Sequence, residues 1–262
     1  FYDQLEKANL FLQGVIDTRQ KPMSDQMVEW LFKNPLSDGG QFTGVSDIIG
    51  KYGVVPKEVM NETFASNNTS QMAFLLKLKL REYGLQLREL PAQTDVEDIK
   101  RIKIEMLGTV YRMLVLNLGE PPLEFTWTRK DINGKPVETK RYTPKSFYNE
   151  YIGKDLTDGY VMLMNDPTRE CYKLYEIDYD RHMYDGYNWR YVNLPVDDIK
   201  KMAIASIKDS TAMYFSCDVT KFLNRDKGTL DLNNYDYESL MGTTFGMNKK
   251  QRVQSFASGS SI

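Results

Sequence analysis

The chain has 262 residues, 41% hydrophobic and 12% aromatic, enough for one large domain or two small ones around a sizeable core. Its 34 Lys and Arg nearly balance 36 Asp and Glu, a net charge of -2, which excludes the whole-chain electrostatic footprint of a nucleic-acid or acidic-membrane binder. Two cysteines and one histidine are too few for a disulfide framework or a zinc cluster, so a reducing compartment is the default, and no apolar run reaches the roughly 20 residues that cross a bilayer.

Leu5, Ala8, Leu12, Val15 and Ile16 fall on one face of residues 1–17, an amphipathic helix with Asp3, Glu6 and Lys7 on its polar side. Pro22 and Ser24 open a second helix, with Met27, Val28, Trp30 and Leu31 as its buried side and Asn34-Pro35 as its stop. Asp38, Gly39 and Gly40 then mark a sharp turn whose backbone can be approached closely. A short helix follows, with Val45, Ile48 and Ile49 at helical spacing and Gly50 and Gly53 ending it. Taken alone, a Gly-Gly turn is ordinary punctuation. Residues 62–69 read as a polar loop, and 70–90 as a helix ended by Pro91. Thr94-Asp-Val-Glu97 predicts a capping box for the next helix, whose stripe of Ile99, Ile102, Met106, Val110, Met113 and Leu114 continues to Asn117.

Alternation on either side of Asp131-Ile-Asn-Gly134 predicts a β-hairpin, Glu124 to Arg129 with Val137 to Tyr142, placing Phe125 and Trp127 on one face. Thr143-Pro144 is a helix start. Strands are expected over Tyr160–Met164, Tyr172–Tyr179 and Trp189–Asn193. Pro195 opens a helix with Ile199, Ala203 and Ile207 inward, and Ala212 to Val219 reads as a short apolar strand. Cys171 and His182 form a tempting thiol–imidazole pair, but neither is flanked by a nucleophile motif, and a cysteine among Tyr and Leu reads as a small core hydrophobe. Cys217 is expected to be buried and inert. Asp178, Asp180 and Asp185 near His182 lack the spacing and the bidentate Glu of a calcium loop, so they read as a solvated acidic loop. With no phosphate loop, nucleotide fingerprint or metal-ligand pair, no cofactor or metal is expected.

The blocks A-N-L-F-L, D-G-G-Q-F, K-Y-G-V-V-P-K, P-P-L-E-F-T-W, T-P-K-S-F-Y, M-N-D-P and Y-F-S-C-D-V follow one another between Phe1 and Ile262. This ordered set resembles the bleomycin hydrolase and aminopeptidase C family of papain-like cysteine peptidases. The resemblance implies an α+β, papain-like fold with a helical-hairpin insertion. Residues 1–61 would be the helical part of the body with the Gly-Gly cleft edge, 62–122 a hook-like insertion, and 123–262 the β-rich part of the body. It also implies a thiol aminopeptidase acting on peptides by cysteine attack, acyl-enzyme formation and hydrolysis assisted by a histidine.

The family's nucleophile motif and its His and Asn motifs match nothing in this sequence, so the chain looks like the middle of such an enzyme. No catalytic residue is expected within it, and no activity from it alone. In papain-like enzymes the place matched by the Gly-Gly turn is a backbone edge that pairs with the substrate's peptide groups. By that resemblance Asp38 shapes the turn, Gly39 and Gly40 touch substrate, and Gln41 and Phe42 lie beside the pocket. A Cβ at Gly40 is expected to clash with the peptide or to be forbidden by a positive φ. The two long helices resemble the hook by which the family assembles its ring, implying a homo-oligomer, a hexamer, where the residues alone favour a plain hairpin packed on its own domain. Some members of the family are associated with nucleic-acid binding, but the balanced charge and the lack of a long apolar run lead to the expectation of a cytoplasmic protein with neither nucleic-acid nor membrane partners. The alternative is a non-catalytic relative that keeps only the assembly surface.

Overall fold

A computed structural model of the chain describes residues 1–255 except 38, 154, 155, 157, 158, 218–222, 232, 233, 235 and 245. The chain divides into two units, one of Phe1–Tyr160 with Ile177–Trp189, the other of Val161–Glu176 with Arg190–Ile262.

In the first unit, α1 (Tyr2–Asp17) buries Ala8, Phe11, Leu12 and Val15. Helix α2 (Gln26–Lys33) begins one residue later than expected, because Asp25 Oδ1 accepts the N–H groups of Met27 and Val28, donors that a helix start leaves without an internal partner. Its Val28 and Leu31 are buried, but Trp30 is 44% exposed and meets Tyr179 edge-on, centroids 5.9 Å apart. Two turns of helix show the core only a narrow side, too narrow for all four expected residues. Helix α3 (Phe42–Tyr52) ends at Gly53, whose φ of 77° only glycine adopts cheaply.

The expected polar loop contains a one-turn helix, α4 (Phe64–Asn67), because Thr63 and Ser66 cap each other's backbone N–H reciprocally. Helices α5 (Ser70–Glu89) and α6 (Val96–Leu118) follow. The capping box foreseen at Thr94 does not form. Asp95 Oδ1 accepts the Glu97 N–H at 2.8 Å, and the Thr94 hydroxyl instead donates to the Pro91 carbonyl at 2.7 Å. An aspartate caps at least as well as a threonine, so the helix starts one residue on.

The core joins α1 to this helical pair: Leu12, Leu76, Leu80, Leu87, Val110 and Leu114 are all within 1% of complete burial. Arg88 on α5 donates to the Thr18 carbonyl at 3.0 Å and also to that of Lys21, closing the α1 C-terminus. Strands β1 (Phe125–Lys130) and β2 (Pro136–Tyr142) pair antiparallel, Phe125 opposite Tyr142. Helix α7 (Pro144–Tyr151) starts with proline in its first turn behind a Thr143–Ser146 capping box. Phe125, Trp127, Tyr142, Phe147 and Tyr151 form an aromatic cluster of edge-on and tilted rings.

In the second unit, apart from the terminal Ile177 and Trp189, which count with the first, β3 (Leu163–Met164), β4 (Lys173–Ile177) and β5 (Trp189–Asn193) form a sheet in the order β3-β5-β4, with β3 parallel to β5. The M-N-D-P block has a structural reason. Asn193, fully buried, bonds the Asp166 backbone through both ends of its amide, 2.7 and 3.0 Å, while Asp166 Oδ1 accepts the N–H and hydroxyl of Thr168. Helix α8 (Val196–Lys208) keeps Ile199 and Ala203 half-buried, but Ile207 is 68% exposed, against expectation. Residues 212–217 of the expected apolar strand are not in a strand, its last two positions, 218 and 219, lie outside the described residues, and Cys217 is exposed rather than buried. Further on, among the described residues, come β6 (Leu223–Asn224) paired with β7 (Thr229–Leu230), α9 (Tyr237–Met241) and α10 (Lys249–Gln254). Among the described residues no helix is long and apolar enough to cross a membrane.

Candidate functional site

The Gly39–Gly40 turn joins α2 to α3, and the polar side of α1 fixes it. Lys7 Nζ donates to the Gly39 carbonyl at 2.7 Å and the Ser37 carbonyl at 3.0 Å, and Gln4 Nε2 reaches the same Ser37 oxygen at 3.2 Å. The Gly39 N–H donates to Ser37 Oγ at 3.2 Å, the local turn that a serine side chain offers its own backbone. Lys7 and Gln4 are buried although polar, a position that is stable only because each reaches an acceptor.

Behind the turn lies the His182 ring, 5% exposed. Its Nδ1 is 2.5 Å from Asp3 Oδ1, and Asp3 pairs in turn with Lys7 at 2.8 Å. Burial pushes the Asp3 carboxyl up, but the hydrogen bonds from His182 and Lys7 outweigh that and hold it below its ordinary value. An ionised Asp3 can only accept, so Nδ1 carries the proton in this bond. A Cβ placed on Gly40 would lie 2.0 Å from His182 Nε2, and one on Gly44 2.1 Å from its Cδ2.

Helix α3 is fixed to α1 at its far end too. The buried Glu6 carboxylate takes Lys51 at 2.8 Å and also the Tyr52 hydroxyl, and Tyr52 stacks on Tyr2 with centroids 3.8 Å apart. Burial, then the hydrogen bond to Glu6 and the Glu6 charge, pushes the Tyr52 phenol well up. The loop 177–189 closes the arrangement: Asp47 Oδ2 accepts the Tyr187 N–H at 2.8 Å, and Asp185 meets Lys51 at 3.3 Å.

Of the residues singled out from the sequence, Asp38 lies outside the described residues. Gly39 and Gly40 are exposed, whereas Gln41 and Phe42 are half-buried at the start of α3. Phe42 packs on Tyr160, centroids 5.4 Å apart. Of the two reasons expected to bar a side chain at Gly40, a clash with the peptide or a positive φ, the positive φ is absent; within the chain a Cβ there would meet the His182 ring. The supposed acidic loop is divided by partner, because Asp185 serves Lys51 while Asp180 is half-buried, and burial pushes its carboxyl up. Asp3 and Lys7 were visible as an i, i+4 pair on the polar face of α1. His182 gave no such signal, being 179 residues from its partner Asp3.

The sequence pattern of the Peptidase C1-like family matches residues 1–261. Among curated proteins, the chain is 35% identical to an aminopeptidase C of Listeria monocytogenes over 255 residues, covering 97% of this chain and 57% of that protein. It is 35% identical to human bleomycin hydrolase over 261 residues, with the same two coverages, 97% and 57%. An aminopeptidase G of Lactobacillus delbrueckii subsp. lactis is 36% identical over 253 residues, 97% of this chain and 58% of that one. The crystal structure of PepW from Lactobacillus rhamnosis superposes with a TM-score of 0.93 at 35% identity, over 98% of this chain and 58% of that one. The chain thus spans little more than half the length of the relatives it matches.

Proposed function

Because this chain belongs to the Peptidase C1-like family, we propose that it is the substrate-edge and assembly portion of a thiol aminopeptidase of the bleomycin hydrolase type. The observation that carries this reading is the alignment of nearly the whole chain with proteins named aminopeptidase C, aminopeptidase G and bleomycin hydrolase. In this reading the full-length protein hydrolyses peptides in the cytoplasm, with a thiolate and an imidazole supplied from outside residues 1–262. The Gly39–Gly40 turn is its substrate edge. It is exposed and anchored at one carbonyl, the condition for offering a fixed backbone to an extended peptide. The Gly39 N–H is already engaged by Ser37, and the Gly39 carbonyl by Lys7 and the Ser37 hydroxyl, so new pairing with a peptide falls to Gly40.

The test uses Gly39. A Cβ there has only Ser37 Oγ within reach, at 3.9 Å, so Gly39→Val should leave stability within about 0.5 kcal/mol of the parent. If a peptide lies along the edge, a side chain there displaces it, and kcat/KM for an amino-acyl fluorogenic amide should drop roughly tenfold, the value of a backbone hydrogen bond and some contact. Unchanged kcat/KM in a normally folded variant would show that substrate passes elsewhere. Turnover by the full-length protein that survives thiol alkylation would remove the cysteine-peptidase reading altogether.

Self-association, in the ring size of the family, is the second part of the proposal. Helix α5 has two apolar sides. Met72, Leu76, Leu80 and Leu87 face the core, whereas Phe74, Leu78 and Leu85, about half a turn round, are 59%, 54% and 48% exposed. A helix that is apolar on both sides calls for a second partner. Light scattering of the full-length protein should report a species larger than a dimer; a folded monomer at micromolar concentration would contradict it.

A further inference from the structure

We propose, on the reading that the Gly39–Gly40 edge receives substrate, that His182 is the positioning residue of that edge. It sets where the glycine turn stands relative to α1 and α3, and through that how well a peptide backbone pairs with it. The ring touches two backbones at once. A Cβ on Gly40 or on Gly44 would overlap it, at 2.0 and 2.1 Å, where real Cβ contacts essentially never fall below 3.0 Å. His182 therefore fills the volume that two absent side chains leave, and serves as a spacer between turn and helix.

The spacer is fixed in orientation. Its Nδ1–H donates to Asp3 at 2.5 Å, Asp3 holds Lys7 at 2.8 Å, and Lys7 holds the Gly39 carbonyl at 2.7 Å. The same carboxylate thus orders both the cation on the turn's carbonyl and the ring behind its second glycine. The loop that carries the ring is itself tied down, by Asp47 to the Tyr187 N–H and by Asp185 to Lys51, so the ring cannot withdraw with its loop. His182 in this role transfers no proton and touches no reacting atom. It acts on rate only through the turn, which places its effect on substrate binding rather than on the chemical step.

The experiment is a double-mutant cycle of Gly40→Ala and His182→Ala in the full-length protein, read by thermal unfolding and by kcat and KM on an amino-acyl fluorogenic amide. Gly40→Ala alone should lower Tm by about 5 °C and raise KM about tenfold, because its methyl must push the ring. With the ring removed, the same substitution should cost no more than about 1 °C and about twofold in KM. His182→Ala alone should raise KM roughly fivefold with kcat within about twofold. His182→Asn, smaller but still able to donate to Asp3, replaces it should the alanine variant not fold.

Additive Tm losses would overturn the packing of His182 against Gly40, and with it the proposal. Coupled Tm losses with KM unmoved by His182→Ala would mean that the ring packs against the turn but the turn is no substrate edge, overturning the positioning role together with the site reading it rests on. A wild-type protein that cleaves no amide would fail the peptidase reading and this role with it, while the Tm cycle still reports the packing on its own.

Discussion

Truncating Leu12 to alanine is expected to destabilise the first unit by about 3 kcal/mol, a fall of roughly 10 °C in Tm for a unit of this size. Leu12 is fully buried on α1, in the cluster it shares with α5 and α6. Its neighbours in that cluster, among them Leu80, Val110 and Leu114, belong to three different turns of the helical pair and are themselves buried to within 1%. A cavity at such a junction cannot collapse by moving one helix without opening a gap beside another, so the full cavity cost should remain. Leu12→Met, close in volume, should cost less than about 1.5 kcal/mol. A shift of under about 2 °C for the alanine variant would mean that the helical pair does not pack on α1 through this cluster.

Gly53→Ala should be still more damaging, at more than about 3 kcal/mol. The first cause is conformational: at a φ of 77° an L-residue costs about 1–2 kcal/mol. The second is contact. A Cβ at Gly53 would lie 2.3 Å from the Pro144 carbonyl carbon, 2.4 Å from its oxygen and 2.5 Å from the Lys145 nitrogen. All three are backbone atoms at the first turn of α7, and backbone cannot swing aside as a side chain does. The Val54 N–H donates to that Pro144 carbonyl at 3.2 Å, so relief of the clash would break the bond joining the two helix ends. Gly119→Ala is the control. Its φ of 80° is equally left-handed, but nothing lies within 4 Å of the added Cβ, so it should show the conformational cost alone. Equal losses at the two sites would remove the α7 contact as a cause. The glycine of the K-Y-G-V-V-P-K block is thus a packing requirement, separate from any ligand.

Local signals in the sequence survived where local physics decides. The Asn-Gly hairpin, the Thr143-Pro144 start of α7 and the stripe through Ile99, Met106, Val110 and Leu114 all stand where turn chemistry and helical period put them. Errors came where a choice between neighbours depends on distant atoms. Asp95 replaced Thr94 as a cap because the Pro91 carbonyl was there to take the threonine hydroxyl. Trp30 left the core because two turns of α2 bury only the narrow side of Val28 and Leu31, and no spacing rule reveals that a tyrosine far along the chain will receive it. At the candidate site the two adjacent glycines stood out as turn punctuation, but the reason that Gly40 has no room for a side chain, the His182 ring, did not show in the sequence. Nor did their frame: Asp3, Lys7 and His182 are polar residues brought together by the fold, and burial of a polar group is set by partners that a one-dimensional pattern does not show.

The joining of α1 to α5 and α6 has a consequence for how the chain comes to be folded. Contacts that fix the first helix come from far along the sequence, as with Arg88 to Thr18, 70 residues apart, and Arg19 to Pro91, 72 residues apart. The hairpin and α7, by contrast, close their aromatic cluster within one short stretch, Tyr142 bonding Glu150 only 8 residues on. Distant contacts are slow to form because a long loop must close before they yield any stabilisation. During synthesis α1 leaves the ribosome well before α5 and α6; α2 reaches its apolar face first, Phe32 against Phe11 and Leu31 in the same cluster, and the rest of that face waits for the helical pair. That interval, rather than the finished structure, is where a weakened α1 face exposes the nascent protein to aggregation or to capture by chaperones.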